Sequence, residues 1–142
     1  EINAAIVETW ESLHLWMPWA QTLPTPDETE EFVRRSRARF LSREDLGLTL
    51  WLKGTETFVG GSGLHVRDWD VPRFEIGYWC RTRFEGQGYI TEAVNGITRF
   101  AFETLKAERV EIRFCESRSP DHFRKVVAQW ITEIILDLPE RN

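Results

Sequence analysis

A strand, a helix and a second strand follow one another between Arg73 and Cys115, and this order limits the fold more than any other feature. Residues 73–80 alternate, with Phe74, Ile76 and Tyr78 on one side and Glu75, Gly77 and Trp79 on the other. Residues 91–105 carry Val94, Ile97, Ala101 and Leu105 at helical steps. Residues 109–115 alternate again, Val110, Ile112 and Phe114 against Arg109, Glu111 and Arg113. A chain that returns to a sheet through a helix enters parallel to the strand it left. Upstream, 48–52 and 57–66 flank the turn Lys53-Gly54-Thr55-Glu56 and read as an antiparallel pair leading into 73–80. The sheet is therefore mixed, and the expected class is α+β, as one domain over residues 1–142.

Two helices precede the strands. Ile2, Ile6, Trp10 and Leu13 place one over about 3–15, stopped by Pro18. Thr25, Pro26 and Glu28 form a capping-box start for the next, with Phe32, Val33, Ser36 and Phe40 as its apolar stripe. A last helix is expected over 120–138, capped by Ser119 with Pro120 at its first position, and with Phe123, Val126, Val127, Trp130, Ile131, Ile134, Ile135 and Leu138 along one side. Seven tryptophans either pack the core or wall a cleft or an oligomer contact.

Composition removes several classes. A net charge of −5 argues against nucleic acid as a partner, which calls for clustered Lys and Arg. No apolar run reaches the ~18 residues of a membrane span, and no signal-peptide pattern opens the chain, so the expected place is the cytoplasm. Cys80 and Cys115 make neither a disulfide framework nor a zinc site. His14, His65 and His122 match no ligand spacing, so no metal is expected.

The densest signal is 78–92, Tyr-Trp-Cys-Arg-Thr-Arg-Phe-Glu-Gly-Gln-Gly-Tyr-Ile-Thr-Glu. A strand ends, Gly86 and Gly88 sit two apart, and a helix begins. Glycines let main-chain N–H groups converge on an anion, and the helix adds a partly positive N-terminus. A pyrophosphate suits such a bend. There is no Gly-Lys-Ser/Thr ending, and the third glycine of a dinucleotide fingerprint is replaced by Thr91. On spacing alone, an ordinary strand-to-helix turn stays open beside the anion site.

Arg83-Phe84-Glu85-Gly86-Gln87-Gly88 resembles the Arg/Gln-x-x-Gly-x-Gly/Ala signature of the GNAT superfamily of N-acetyltransferases. Glu75-Ile76-Gly77-Tyr78-Trp79 and Thr91-Glu92-Ala93 resemble its RimJ/RimL-type branch, as do Leu15-Trp16-Met17-Pro18-Trp19 and Val59-Gly60-Gly61-Ser62-Gly63-Leu64. The resemblance runs from about Glu1 to Cys115. It implies an acetyl-CoA cosubstrate lying where 73–80 and 109–115 splay apart. The main chain of Tyr78, Trp79 and Cys80 would meet pantetheine and the acetyl carbonyl. The N–H groups of Phe84, Glu85, Gly86, Gln87 and Gly88, continuing through Tyr89 and Ile90 to Thr91, would hold the pyrophosphate, with Arg83 adding charge. The acceptor would be the amine of a small molecule or a protein N-terminus.

Acetyl transfer to an amine needs a neutral nitrogen, a reachable thioester carbon and a stabilised thiolate. Glu75 is the candidate base, or else a half-buried glutamate paired to Arg73 or Arg113. Glu92 at a helix start complements the dipole. His65 either faces the cleft or is an ordinary surface histidine, and Cys80 is either a covalent carrier or a buried thiol.

Beyond Cys115 the resemblance fades. Where the family carries Asn-x-x-Ser-x-x-Val-Ala and then Gly-Phe, this chain has Asp121, Arg124, Val127-Ala128 and Trp130-Ile131-Thr132. No tyrosine follows Tyr89 to protonate the thiolate. The expectation is a GNAT-like mixed sheet flanked by helices, without the first strand and the C-terminal hairpin. An apolar stripe over 123–138 then needs cover from its own sheet or a second subunit, and a homodimer is expected. The alternative function is a catalytically impaired remnant that binds CoA or serves only as an oligomeric domain.

Overall fold

The computed structural model describes residues 1–112. Two helices, α1 (Ile2–Trp16) and α2 (Pro26–Leu41), precede three strands, β1 (Leu46–Trp51), β2 (Phe58–Asp68) and β3 (Arg73–Cys80). A 3₁₀ turn at Thr82–Phe84, helix α3 (Tyr89–Glu103) and strand β4 (Arg109–Ile112) follow. The strands form one sheet in the order β1-β2-β3-β4. The first two pairings are antiparallel, and β3 pairs with β4 in parallel, Arg73 opposite Arg109 through Ile76 opposite Ile112. The mixed sheet and the α3 crossover thus match the expected α+β class. The expected helix over 120–138, the end of the last strand and the stripe behind the dimer lie outside the described residues.

Strand alternation sorts the sheet into two faces. Leu46, Leu64, Phe74 and Ile76 point toward α3 and bury with its Val94, Ile97 and Ala101, joined by Tyr78, Val110 and Ile112. The opposite face carries Gly47, Gly63 and Gly77 in register, a row of three glycines across three strands. Helix α1 covers one end of that face, where Ile6, Leu13 and Ala20 pack with Trp79. Helix α2 covers the other end, and Ser36 lies 3.6 Å from where a Cβ on Gly47 would sit.

The capping box at the start of α2 forms as expected. Glu28 N–H donates to Thr25 Oγ1 at 3.2 Å, and Thr25 N–H donates to Glu28 Oε2 at 2.8 Å. The stripe differs from expectation. Phe32 is 66% exposed, and the inward line is Thr29, Val33, Ser36 and Phe40. Thr29 extends the helical steps of the other three, whereas Phe32 stands one position off them. Its hydroxyl accepts from Asn3 of α1 at 2.9 Å, a long-range contact that periodicity does not show.

Candidate functional site

The segment after β3 starts as a fastened chain. Arg81 N–H donates to Val59 O at 2.7 Å and Thr82 N–H to Thr9 Oγ1 at 3.2 Å. Phe84 N–H donates to Arg81 O at 2.9 Å and Glu85 N–H to Thr82 O at 3.2 Å. From Gly86 the main chain changes. Gly86 has φ 73° and Gly88, the N-cap of α3, has φ 85°. A Cβ at either would meet no atom within 4 Å, so backbone angle rather than crowding demands glycine there. Among the described residues, the N–H groups of Gly86, Gln87, Gly88, Tyr89, Ile90 and Thr91 have no hydrogen-bond partner. Pairing resumes at Glu92, whose N–H donates to Gly88 O at 3.0 Å.

The donor set is therefore shifted from the expected one. Phe84 and Glu85 give their N–H groups to the 3₁₀ turn, and the unpaired run begins two residues later and reaches Thr91. Six unpaired donors at a helix N-terminus make a concavity suited to an anion. The Phe84 ring meets Tyr89 edge-on at 5.9 Å and braces the bend, and Gln87 Nε2 donates to Arg83 O at 2.9 Å.

Charge around the bend is matched by pairs. Arg83 grips Glu8 of α1 through two bonds, Nε to Oε1 at 2.9 Å and Nη2 to Oε2 at 2.7 Å. Buried Arg81 donates to the same Glu8 at 2.8 Å and to Glu1 at 2.6 Å. The Arg83 hydrogen bonds, helped by those of Arg81 and opposed by burial, hold the Glu8 carboxyl down to about 2. Arg83 was expected as charge for a ligand, and here its guanidinium is engaged by α1. Sequence reasoning did not single out Glu8 or Arg81, because the contact spans 73 residues and no local pattern announces it.

Tyr78, Trp79 and Cys80 are the last three residues of β3 and follow Ile76, which pairs with Ile112 of β4. Trp79 lies against Phe58 at 5.5 Å and Trp19 at 6.4 Å, with its indole over Gly61. This tryptophan is packing, and its carbonyl is turned toward β2, where it would meet a Cβ on Gly60. Burial first, then the nearby Glu85 charge, push the Cys80 thiol up to about 11, so it stays protonated and is a poor nucleophile at neutral pH.

Glu75 stands on the face opposite α3, with its carboxylate bound by Arg67. One partner is thus Arg67, on the antiparallel neighbour, while Arg73 pairs with Asp68 at 3.3 Å and Arg113, the other expected partner, lies outside the described residues. Directly across from Glu75 is His65, whose Nδ1 lies 2.8 Å from Asp45 Oδ1. Among the described residues no three His, Cys, Asp or Glu side chains gather as a metal site, and no helix is long and apolar enough to cross a membrane.

A mixed sheet with a parallel pair, β3 and β4, joined through a glycine bend of unpaired amides belongs to the class of α+β folds built to hold an anion at a helix start. The chain belongs to the acetyltransferase (GNAT) domain family, whose model matches residues 1–117. The Bacillus subtilis (strain 168) protein YdaF, named for ribosomal N-acetyltransferase activity, is 32% identical over 108 residues. That match takes in 75% of this chain and 58% of the relative, so the chain spans under two thirds of YdaF's length. The crystal structure of a probable acetyltransferase superposes with a TM-score of 0.78 at 25% identity, over 89% of this chain and 70% of that one. The microcin C7 self-immunity acetyltransferase MccE, solved with acetyl-CoA and AMP, gives 0.75 at 18% identity, over 91% and 69%. The expected superfamily and fold agree with these findings, and the ribosomal name of YdaF agrees with the RimJ/RimL-type branch.

Proposed function

We propose that this chain is an acetyl-CoA-dependent N-acetyltransferase that passes the acetyl group to a primary amine by direct attack with general-base assistance. The observation that carries the reading is the run of six unpaired main-chain donors from Gly86 to Thr91. In this reading they hold the pyrophosphate of CoA, and the main chain around Tyr78, Trp79 and Cys80 takes pantetheine and the acetyl carbonyl. The protonated Cys80 thiol supports direct transfer over a covalent cysteine intermediate. Glu75 contributes a carboxylate on the acceptor side, and to take a proton itself it must exchange its Arg67 partner. The name of the YdaF relative points to a protein N-terminus as the acceptor class to try first. A homodimer is part of the same proposal, and sedimentation at micromolar protein giving only monomer would remove it.

Calorimetry with acetyl-CoA tests the reading. Gly86→Trp should weaken binding by at least about 100-fold, because a side chain at φ 73° strains the bend and its ring fills the space of the phosphates. Unchanged affinity in a variant that keeps its melting cooperativity would move the cofactor elsewhere. Binding without thiol release from any amine would instead favour a domain that has lost its chemistry.

A further inference from the structure

The sheet face opposite α3 holds a second arrangement that neither the loop nor Glu75 accounts for. An aspartate carboxylate only accepts, so the 2.8 Å contact between Asp45 Oδ1 and His65 Nδ1 places the ring proton on Nδ1. In the neutral ring Nε2 then carries the lone pair, and among the described residues it has no hydrogen-bond partner. Its position is fixed by two glycines. Nε2 lies 3.0 Å from where a Cβ on Gly77 would sit, and Cε1 lies 3.6 Å from the same point on Gly63. The imidazole therefore lies over the glycine row, one residue from Tyr78, whose main chain meets the acetyl carbonyl in the reading above. His65 is 45% exposed, so a substrate can reach it from solvent.

We propose that His65 is the general base of the transfer and that Asp45 is its positioning residue, an assignment that rests on the acetyl-transfer reading. The amine nitrogen attacks the thioester carbon and a C–N bond forms. The nitrogen loses its proton to His65 Nε2, the C–S bond breaks, and CoA leaves as the thiolate. The imidazolium then returns its proton to the thiolate or to water. The charged groups facing the ring come from every neighbouring element. Asp45 precedes β1, with Arg39 of α2 at 3.9 Å from its other oxygen, and Glu75 lies opposite on β3, paired to Arg67 of β2. Glu111 of β4, bound to Arg109 at 2.7 Å, is the next residue in that row.

The test compares the full chain with His65→Gln and Asp45→Asn, using acetyl-CoA and a short peptide with a free N-terminal serine. His65→Gln should bind acetyl-CoA within about twofold of the parent by calorimetry, while kcat falls about 100-fold. The slope of log kcat/KM against pH should fall by about one, since one of two deprotonations has gone. Asp45→Asn should lose about tenfold in kcat and keep that slope. An unchanged rate and slope in His65→Gln overturns the assignment with the acetyl-transfer reading intact. Failure of the parent chain to bind acetyl-CoA overturns the reading itself. A second measurement needs no acceptor: long-range ¹H–¹⁵N spectra should show His65 protonated on Nδ1, with Nε2 shifted by acetyl-CoA. A ring protonated on Nε2, or one that acetyl-CoA leaves unmoved, overturns the assignment even where the peptide is not acetylated.

Discussion

The α3 face of the sheet and the face behind it are built from opposite materials. Toward α3, Leu46, Leu64, Phe74, Ile76 and Val94 are all under 5% exposed and touch one another in one aliphatic and aromatic cluster. Behind it, the same strands present Gly47, Gly63 and Gly77 in a row, bordered by His65, Glu75 and Asp45. Burial of apolar surface is what stabilises the first face. The second gives up that stabilisation, since glycine adds no side chain and weakens a strand. Away from its α1 end, where Ile6, Leu13 and Ala20 pack with Trp79, the second face trades apolar burial for polar groups set over the glycine row.

That division predicts different failures for the two faces. Phe74→Ala should be the most damaging change, costing about 3–5 kcal/mol through lost transfer energy and a cavity, because Phe74 is fully buried. Urea unfolding with an unchanged m-value measures it, and a loss under about 1 kcal/mol would show that the core lies elsewhere. Gly60→Ala should follow at about 1–3 kcal/mol, as its Cβ would meet the Trp79 carbonyl, a main-chain atom that cannot swing away. Gly77→Ala should cost less than about 1 kcal/mol, because the obstructing atom is the end of a half-exposed imidazole. It should nevertheless displace His65 from its place over the row, visible as a changed ring resonance. Equal costs at 60 and 77 would blur the contrast between the faces.

The sequence carried the element order and the glycine bend because both are local. Alternation in 73–80 and period in 91–105 became β3 and α3, with α3 starting at Tyr89, two residues early, since Gly88 in the left-handed region can cap it directly. Main-chain donors were harder to read: glycine spacing located the bend, but that Phe84 and Glu85 close a 3₁₀ turn depends on angles no residue name encodes. Long-range partners were legible only after the strands were paired. Glu75 with Arg67, His65 with Asp45, and Glu8 with Arg81 and Arg83 join residues 8 to 75 apart, and many charges of either sign could have met. Phe32 misled because it is apolar, while Thr29, polar by type, is the residue α1 covers.

Glu8 sits where the two regions meet, on α1 and bonded to both arginines before the bend, and its pH response is the finest test of how they are joined. Its carboxyl is lowered from 4.5 in the unfolded chain to about 2 in the fold. The folded state therefore binds fewer protons in this window, and the contribution of Glu8 is fully present above about pH 5 and fades as pH falls toward 2. Glu8→Gln should melt below the parent at neutral pH, and the two curves should converge in acid. Glu28 and Asp68 are lowered as well, yet they titrate in both proteins and cancel in the difference. The effect is the smallest of the set because Arg83 is open to solvent, where screening weakens its share. Added salt should shrink it further and leave the part owed to buried Arg81. A melting difference that ignores pH would mean that Glu8 holds α1 by packing, and that the bend keeps its shape without the charges beside it.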